Sequence, residues 1–129
     1  MPKVLVVEDD RDIRNLLEVR LCGMGHRVVA AGSTDEALTV LADRGAPDVA
    51  VLDVVTPGDS GLELLARLRQ NPAYAAMPAV FLSARVQESA IVAGHAWGAT
   101  YLTKPVVLSA LAAAIDRALE TSRPAVEGW

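Results

Sequence analysis

VLVVEDD, residues Val4–Asp10, decides how the rest of the chain is read. Four apolar residues run together and three acids follow without a break. A short continuous apolar run fits a strand buried on both faces, as in a parallel sheet, better than one with a wet side. Three adjacent carboxylates at the end of such a strand repel one another, and burial sharpens the repulsion. Two explanations stand at this point: a solvated turn that caps the next helix, or a cation site.

Working outward, similar runs recur as VVAA (Val28–Ala31), VAVL (Val49–Leu52), AVFL (Ala79–Leu82) and the weaker TYL (Thr100–Leu102). Between them, apolar residues fall at helical spacing: Ile13, Leu16, Leu17 and Leu21; Ala37, Leu38 and Leu41; Leu62, Leu65 and Leu68; Leu108, Leu111, Ile115 and Leu119. Ser33 with Glu36 three residues on has capping-box spacing. Gly23 and Gly25 can end the first helix, Gly45 with Pro47 the second, and Gly98 the helix before TYL. Pro72 and Pro78 bracket the turn before the fourth strand. Strand then helix, five times over, predicts an α/β fold. Right-handed crossovers place helices on both faces of a parallel sheet.

Bulk properties bound the function. The 129 residues suit one domain, with residues 1–120 as its body and 121–129 (TSRPAVEGW) as a tail or linker remnant. A net charge of −4 gives no electrostatic argument for nucleic-acid binding. The single cysteine, Cys22, excludes an internal disulfide and is expected to be a buried structural thiol. His26, His95 and Trp97 stand apart from any ligand-spaced partner and are expected to be structural or surface residues. The apolar runs are too short for a signal-peptide core or a membrane span, so a cytoplasmic location away from membranes is expected.

In an open α/β sheet, ligands bind beyond the carboxyl ends of the strands. Strand one ends in Glu8, Asp9 and Asp10, strand three in Asp53, strand four in Ser83 and Ala84, and strand five in Thr103, Lys104 and Pro105. Strand two ends in Ala31 and Gly32, which offer no chemical group. A strand order of 2-1-3-4-5 makes strands one and three neighbours and brings Asp9 to Asp53. Ligands that are all oxygen favour a hard divalent ion, and a site with few protein ligands and several waters suits Mg²⁺.

VLVVEDD, LDVVTPGDSGLEL (Leu52–Leu64), FLSA (Phe81–Ala84) and YLTKP (Tyr101–Pro105), in that order and each at a strand end, resemble a two-component response-regulator receiver domain. The resemblance covers about Lys3 to Glu120. It implies a flavodoxin-like, doubly wound (βα)5 fold, a three-layer sandwich with parallel sheet order 2-1-3-4-5. Asp53 would be phosphorylated by a sensor histidine kinase or a histidine phosphotransfer protein. Glu8 and Asp9 would form the acidic pair for Mg²⁺, with Asp9 and Asp53 as direct ligands, Glu8 acting through water, and the backbone carbonyl of Val55 as a further ligand. Ser83 would hydrogen-bond a phosphoryl oxygen. Lys104, joined to Pro105 by a cis bond, would pair with the phosphoryl group. Tyr101 would be the aromatic switch that follows Ser83. Asp10 falls outside the pair and serves the start of the first helix, where the dipole favours an acid.

The implied output is a change of shape on the face of the fourth helix, fifth strand and fifth helix. That face would control a partner or an output domain, and it allows a homodimer. The chain would catalyse only its own phosphorylation and autodephosphorylation, with no external substrate. Two departures from the family pattern stand out: Val106 where Phe commonly follows Lys-Pro, and AspSerGly at Asp59–Gly61 where Met-Asp-Gly is usual. Val55 and Arg85, two residues beyond Asp53 and Ser83, are expected to tune the phosphoryl lifetime. The alternative function is a pseudo-receiver that binds protein partners without phosphorylation. An aspartate-nucleophile phosphatase of the haloacid-dehalogenase type would want a second Asp at position 55, where Val stands.

Overall fold

The computed structural model describes residues 2–54, 61–83 and 100–121. The strands are β1 (Lys3–Val7), β2 (Arg27–Ala31), β3 (Val49–Asp53), β4 (Ala79–Ser83) and β5 (Thr100–Thr103). The helices are α1 (Arg11–Gly23), α2 (Thr34–Arg44), α3 (Gly61–Arg69) and a C-terminal helix (Leu108–Thr121). A short 3-10 turn at Pro72–Tyr74 leads into β4, between the two prolines that signalled a turn there. The five strands form one parallel sheet in the order β2-β1-β3-β4-β5, as expected. The expected fourth helix, with His95, Trp97 and Gly98, lies outside the described residues.

Each strand sends alternate side chains to opposite faces, so one apolar strand feeds two cores. Leu5, Val7, Ala50, Leu52 and Phe81 pack with Leu41 of α2 and Leu64, Leu65 and Leu68 of α3. Val4, Val6, Val49, Val51, Val80 and Leu82 pack with Leu17 and Leu21 of α1 and with Leu111 and Ile115 of the C-terminal helix. The continuous apolar runs are thereby explained: β1, β3 and β4 have no wet side. The two edge strands differ: β2 is buried fully only at Ala31, and β5 has Thr100 and Thr103 exposed.

Helix ends follow the residues that signalled them. Asp10 caps α1, its Oδ1 accepting the N–H groups of Asp12 at 2.9 Å and Ile13 at 3.1 Å. Ser33 caps α2, its Oγ accepting the N–H of Glu36 at 3.2 Å. The reciprocal half of the box is shifted by one residue, because Glu36 Oε2 accepts from Gly32 N–H at 3.0 Å and not from Ser33. Gly45 follows α2 with φ +82°, a conformation that excludes most side chains, and its N–H donates to the Leu41 carbonyl at 2.8 Å.

Two expectations for α1 need correction. Cys22 is exposed, not a buried thiol. Leu16, read as part of the buried face, is 47 % exposed. The buried stripe runs through Leu17 and Leu21, with Ile13 half-buried at its start, and Leu16 and Cys22 each lie about 100° round the helix from it. His26 is buried, consistent with a structural role, and its backbone N–H donates to the Leu21 carbonyl at 3.1 Å.

Candidate functional site

Register levels the strand ends. Val7 pairs with Leu52, so the next residues, Glu8 and Asp53, stand side by side at the carboxyl edge of β1 and β3. Asp53 in turn pairs with Leu82, one position before Ser83, and Ser83 pairs with Thr103, one position before Lys104. Period two then sorts the side chains. Glu8 continues the Val4–Val6 row and Asp53 the Val49–Val51 row, both on the face covered by α1 and the C-terminal helix. Asp9 has the opposite parity and is exposed, whereas Glu8 is fully buried and Asp53 nearly so.

The structure brings Glu8, Asp9 and Asp53 together, with one carboxylate oxygen from each lying within 4.8 Å of the others. Lys104 completes the group. Its Nζ donates to Glu8 Oε1 and to Asp53 Oδ2, each at 2.8 Å. The Lys104–Pro105 bond is cis, as the resemblance implies, and the Lys104 backbone N–H donates to the Ser83 carbonyl at 2.8 Å. The acidic cluster is therefore not left to an external cation alone. The chain supplies the first countercharge itself, across 96 residues from Glu8 and 51 from Asp53.

Burial pushes the Glu8 carboxyl up to about 8; neighbouring Asp53 adds to the rise and Lys104 opposes it. For Lys104, burial disfavours the ammonium, but its hydrogen bonds and attraction to Asp53 and Glu8 together outweigh this and raise its pKa above the usual value. Lys104 thus stays charged at neutral pH. Among the described residues, two buried side-chain atoms, Glu8 Oε2 and His26 Nδ1, have no hydrogen bond, and Glu8 Oε2 is the one at this site. An orphaned buried carboxylate oxygen beside two more carboxylates is a donor set that fits a hard cation.

Ser83 is fully buried at the end of β4. Tyr101 lies on β5 by its backbone, and its side chain is outside the described residues, as are Val55 and Arg85. Asp10, spent on the α1 cap, stands outside the cluster as expected. One residue at the site was missed in the sequence. Arg14 Nη1 donates to the Glu8 carbonyl at 3.0 Å and reaches the Asp9 carbonyl at 3.5 Å. A basic residue in the second turn of an amphipathic helix reads as a solvated surface residue, so no signal in the sequence pointed to it.

Among proteins of known role, the chain is 39 % identical over 127 residues to the phosphate regulon transcriptional regulatory protein PhoB of Rhizobium meliloti, covering 98 % of this chain and 56 % of that protein. It is 40 % identical over 107 residues to the transcriptional regulatory protein AfsQ1 of Streptomyces coelicolor, covering 82 % of this chain and 46 % of that one. The chain thus spans about half the length of these regulators. Among solved structures, a putative response regulator from Chloroflexus aurantiacus superposes with a TM-score of 0.83 at 35 % identity, covering 92 % of this chain and 98 % of the other. The response regulator TrrA of Thermotoga maritima, solved in complex with Mg²⁺-BeF, superposes with a TM-score of 0.80 at 28 % identity, covering 92 % of this chain and all of the other. Residues 4–116 match the family model of the response regulator receiver domain. By that match, and in keeping with the parallel sheet order, the chain belongs to the response regulator receiver family.

Proposed function

We propose that this chain is a phosphorylatable receiver in which Asp53 accepts a phosphoryl group from a sensor histidine kinase or a histidine phosphotransfer protein. The observation that carries the reading is Lys104 Nζ, 2.8 Å from both Asp53 and Glu8, beside a three-carboxylate cluster. A carboxylate poised next to a fixed ammonium suits phosphoryl transfer, where the protein positions groups and neutralises charge and forms few bonds itself. An Asp53 oxygen forms the new bond to phosphorus as the bond from phosphorus to the donor nitrogen breaks, leaving an acyl phosphate. Lys104 then exchanges a carboxylate oxygen for a phosphoryl oxygen and offsets the added charge. Ser83, buried at the end of β4, is the hydroxyl assigned to a phosphoryl oxygen.

Glu8, Asp9, Asp53 and the Val55 carbonyl are the residues we assign to Mg²⁺. Bound there, Mg²⁺ would supply positive charge to offset that of the phosphoryl group, in addition to Lys104. Tyr101 is assigned the switch role, and the face of the fifth strand and its flanking helices the output, including a homodimer. A cytoplasmic location follows from pairing with such kinases. Residues 1–120 are the receiver domain in this reading, and 121–129 a tail or linker.

The test is mass spectrometry after incubation with acetyl phosphate and Mg²⁺. Wild type is expected to gain one phosphoryl mass and Asp53→Asn none. Equal gain in Asp53→Asn, or no gain in wild type, refutes the assignment; the latter outcome favours a pseudo-receiver.

A further inference from the structure

We propose that Arg14 is a positioning residue for the metal site, holding the turn between β1 and α1 so that Asp9 is aimed into the cluster, and that Gly32 leaves room for it to do so. The inference rests on the Mg²⁺ reading of the acidic cluster and goes beyond it to a residue that touches neither metal nor phosphoryl group.

Asp9 is exposed and sits one residue past the last hydrogen-bonded position of the sheet, where the Glu8 N–H donates to the Ala31 carbonyl at 3.0 Å. Among the described residues its carboxylate has no hydrogen bond or ion pair within the protein, so its aim depends on its backbone. The backbone on either side is held at two points. Asp10 caps α1, and Arg14 Nη1 donates to the Glu8 carbonyl at 3.0 Å with the Asp9 carbonyl at 3.5 Å. Arg14 is on α1, which Leu17 and Leu21 fasten to the core one and two turns further on. The guanidinium therefore ties the two carbonyls flanking the Asp9 amide to a rigid element. Groups of this kind, behind the ligands themselves, set ligand orientation and metal affinity.

The second observation lies on the neighbouring strand. A Cβ on Gly32 would stand 2.7 Å from Arg14 Nη1, 3.4 Å from its Cζ and 3.5 Å from Glu36 Oε2. The Gly32 backbone is not in the left-handed region, so conformational freedom does not explain this glycine. Close approach does: the missing side chain is the space that the guanidinium occupies. The Gly32 N–H, donating to Glu36 Oε2 at 3.0 Å, fixes the far wall of that space. Strand two, which brings no chemical group to the site, thus contributes by having none.

This makes Gly32→Ala a selective probe. The clash falls on the end of a flexible side chain, so the fold tolerates it while the guanidinium is displaced. The experiment is calorimetric Mg²⁺ titration of wild type, Arg14→Ala, Arg14→Lys, Gly32→Ala and Arg14→Ala/Gly32→Ala, with urea denaturation of each in EDTA. Arg14→Ala is expected to bind Mg²⁺ on the order of tenfold more weakly, with Arg14→Lys recovering part of the loss. Gly32→Ala is expected to weaken binding at an unchanged urea midpoint, and the double variant to be no weaker than Arg14→Ala, because displacement costs nothing once the guanidinium is gone. Saturating Mg²⁺ is expected to restore the rate of phosphorylation by acetyl phosphate, separating affinity from turnover. Wild-type affinity in Arg14→Ala and Gly32→Ala, or additive losses in the double variant, overturns the proposal while leaving the metal reading intact. Absence of Mg²⁺ binding in wild type overturns both. Gly32→Ala alone carries the test if Arg14→Ala does not fold.

Discussion

Glu8 and Asp9 are neighbours in sequence with opposite environments. Strand parity buries the first under α1 and the C-terminal helix and leaves the second in solvent. Burial raises the Glu8 pKa from 4.5 to about 8 in the metal-free protein. Its proton is then favoured by folding, and the sign follows from linkage. The contribution is fully present below 4.5, falls as the unfolded chain loses a proton that the folded one keeps, and is gone above about 8. Lys104, raised above 10.5, acts outside that window. Denaturant titrations in EDTA at several pH values across this range are expected to show stability falling with pH by a term absent in Glu8→Gln. Parallel pH profiles for the two proteins would count against a protonated, buried Glu8.

α1 shows how a helix separates the roles of three adjacent acids. Its cap takes Asp10, its buried stripe takes Leu17 and Leu21, and its second turn returns Arg14 to the strand end it came from. Asp10→Ala removes two hydrogen bonds to the first turn and is expected to lower stability by about 1 kcal/mol. Its Mg²⁺ affinity is expected to change little. Asp9→Ala is expected to do the reverse: stability in EDTA held or raised, since a repelling charge is removed, and Mg²⁺ affinity lowered by at least about tenfold. Calorimetry with urea denaturation on both variants checks the split; an Asp10→Ala loss of affinity matching that of Asp9→Ala would merge the two roles. The helix also marks where pattern reading fails. Leu16 and Cys22 fit an apolar helix on spacing alone, but only the packing angle of α1 on the sheet decides which apolar residues are covered.

Across the molecule, the site exists only when the sheet does. Asp9 and Asp53 approach because β1 and β3 are paired in parallel, and Lys104 closes the cluster from β5, which enters by way of β4. A ligand for such a site binds the folded state alone and stabilises it by mass action, by about 2.7 kcal/mol at a hundred times its dissociation constant. Thermal melts are expected to rise steadily with Mg²⁺ in wild type and far less in Asp53→Asn. A melting temperature indifferent to Mg²⁺ would exclude the cluster as its site.

The strand runs, the caps at Asp10 and Ser33, and the carboxylates, hydroxyl and lysine at the strand ends were all legible in the sequence. They are local: apolar continuity, capping chemistry and residue type are set by a few adjacent residues. The burial of Glu8 against the exposure of Asp9, the countercharge from Lys104, the exposure of Leu16 and Cys22, and the meeting of Arg14 with Gly32 were decided by tertiary structure. Each depends on strand register, helix rotation or the width of a gap between two elements, and none of these is carried by the residues' own neighbours along the chain. Gly32 is the clearest case: in the sequence it ends a strand and offers nothing, and in the fold that absence leaves the space taken by the Arg14 guanidinium.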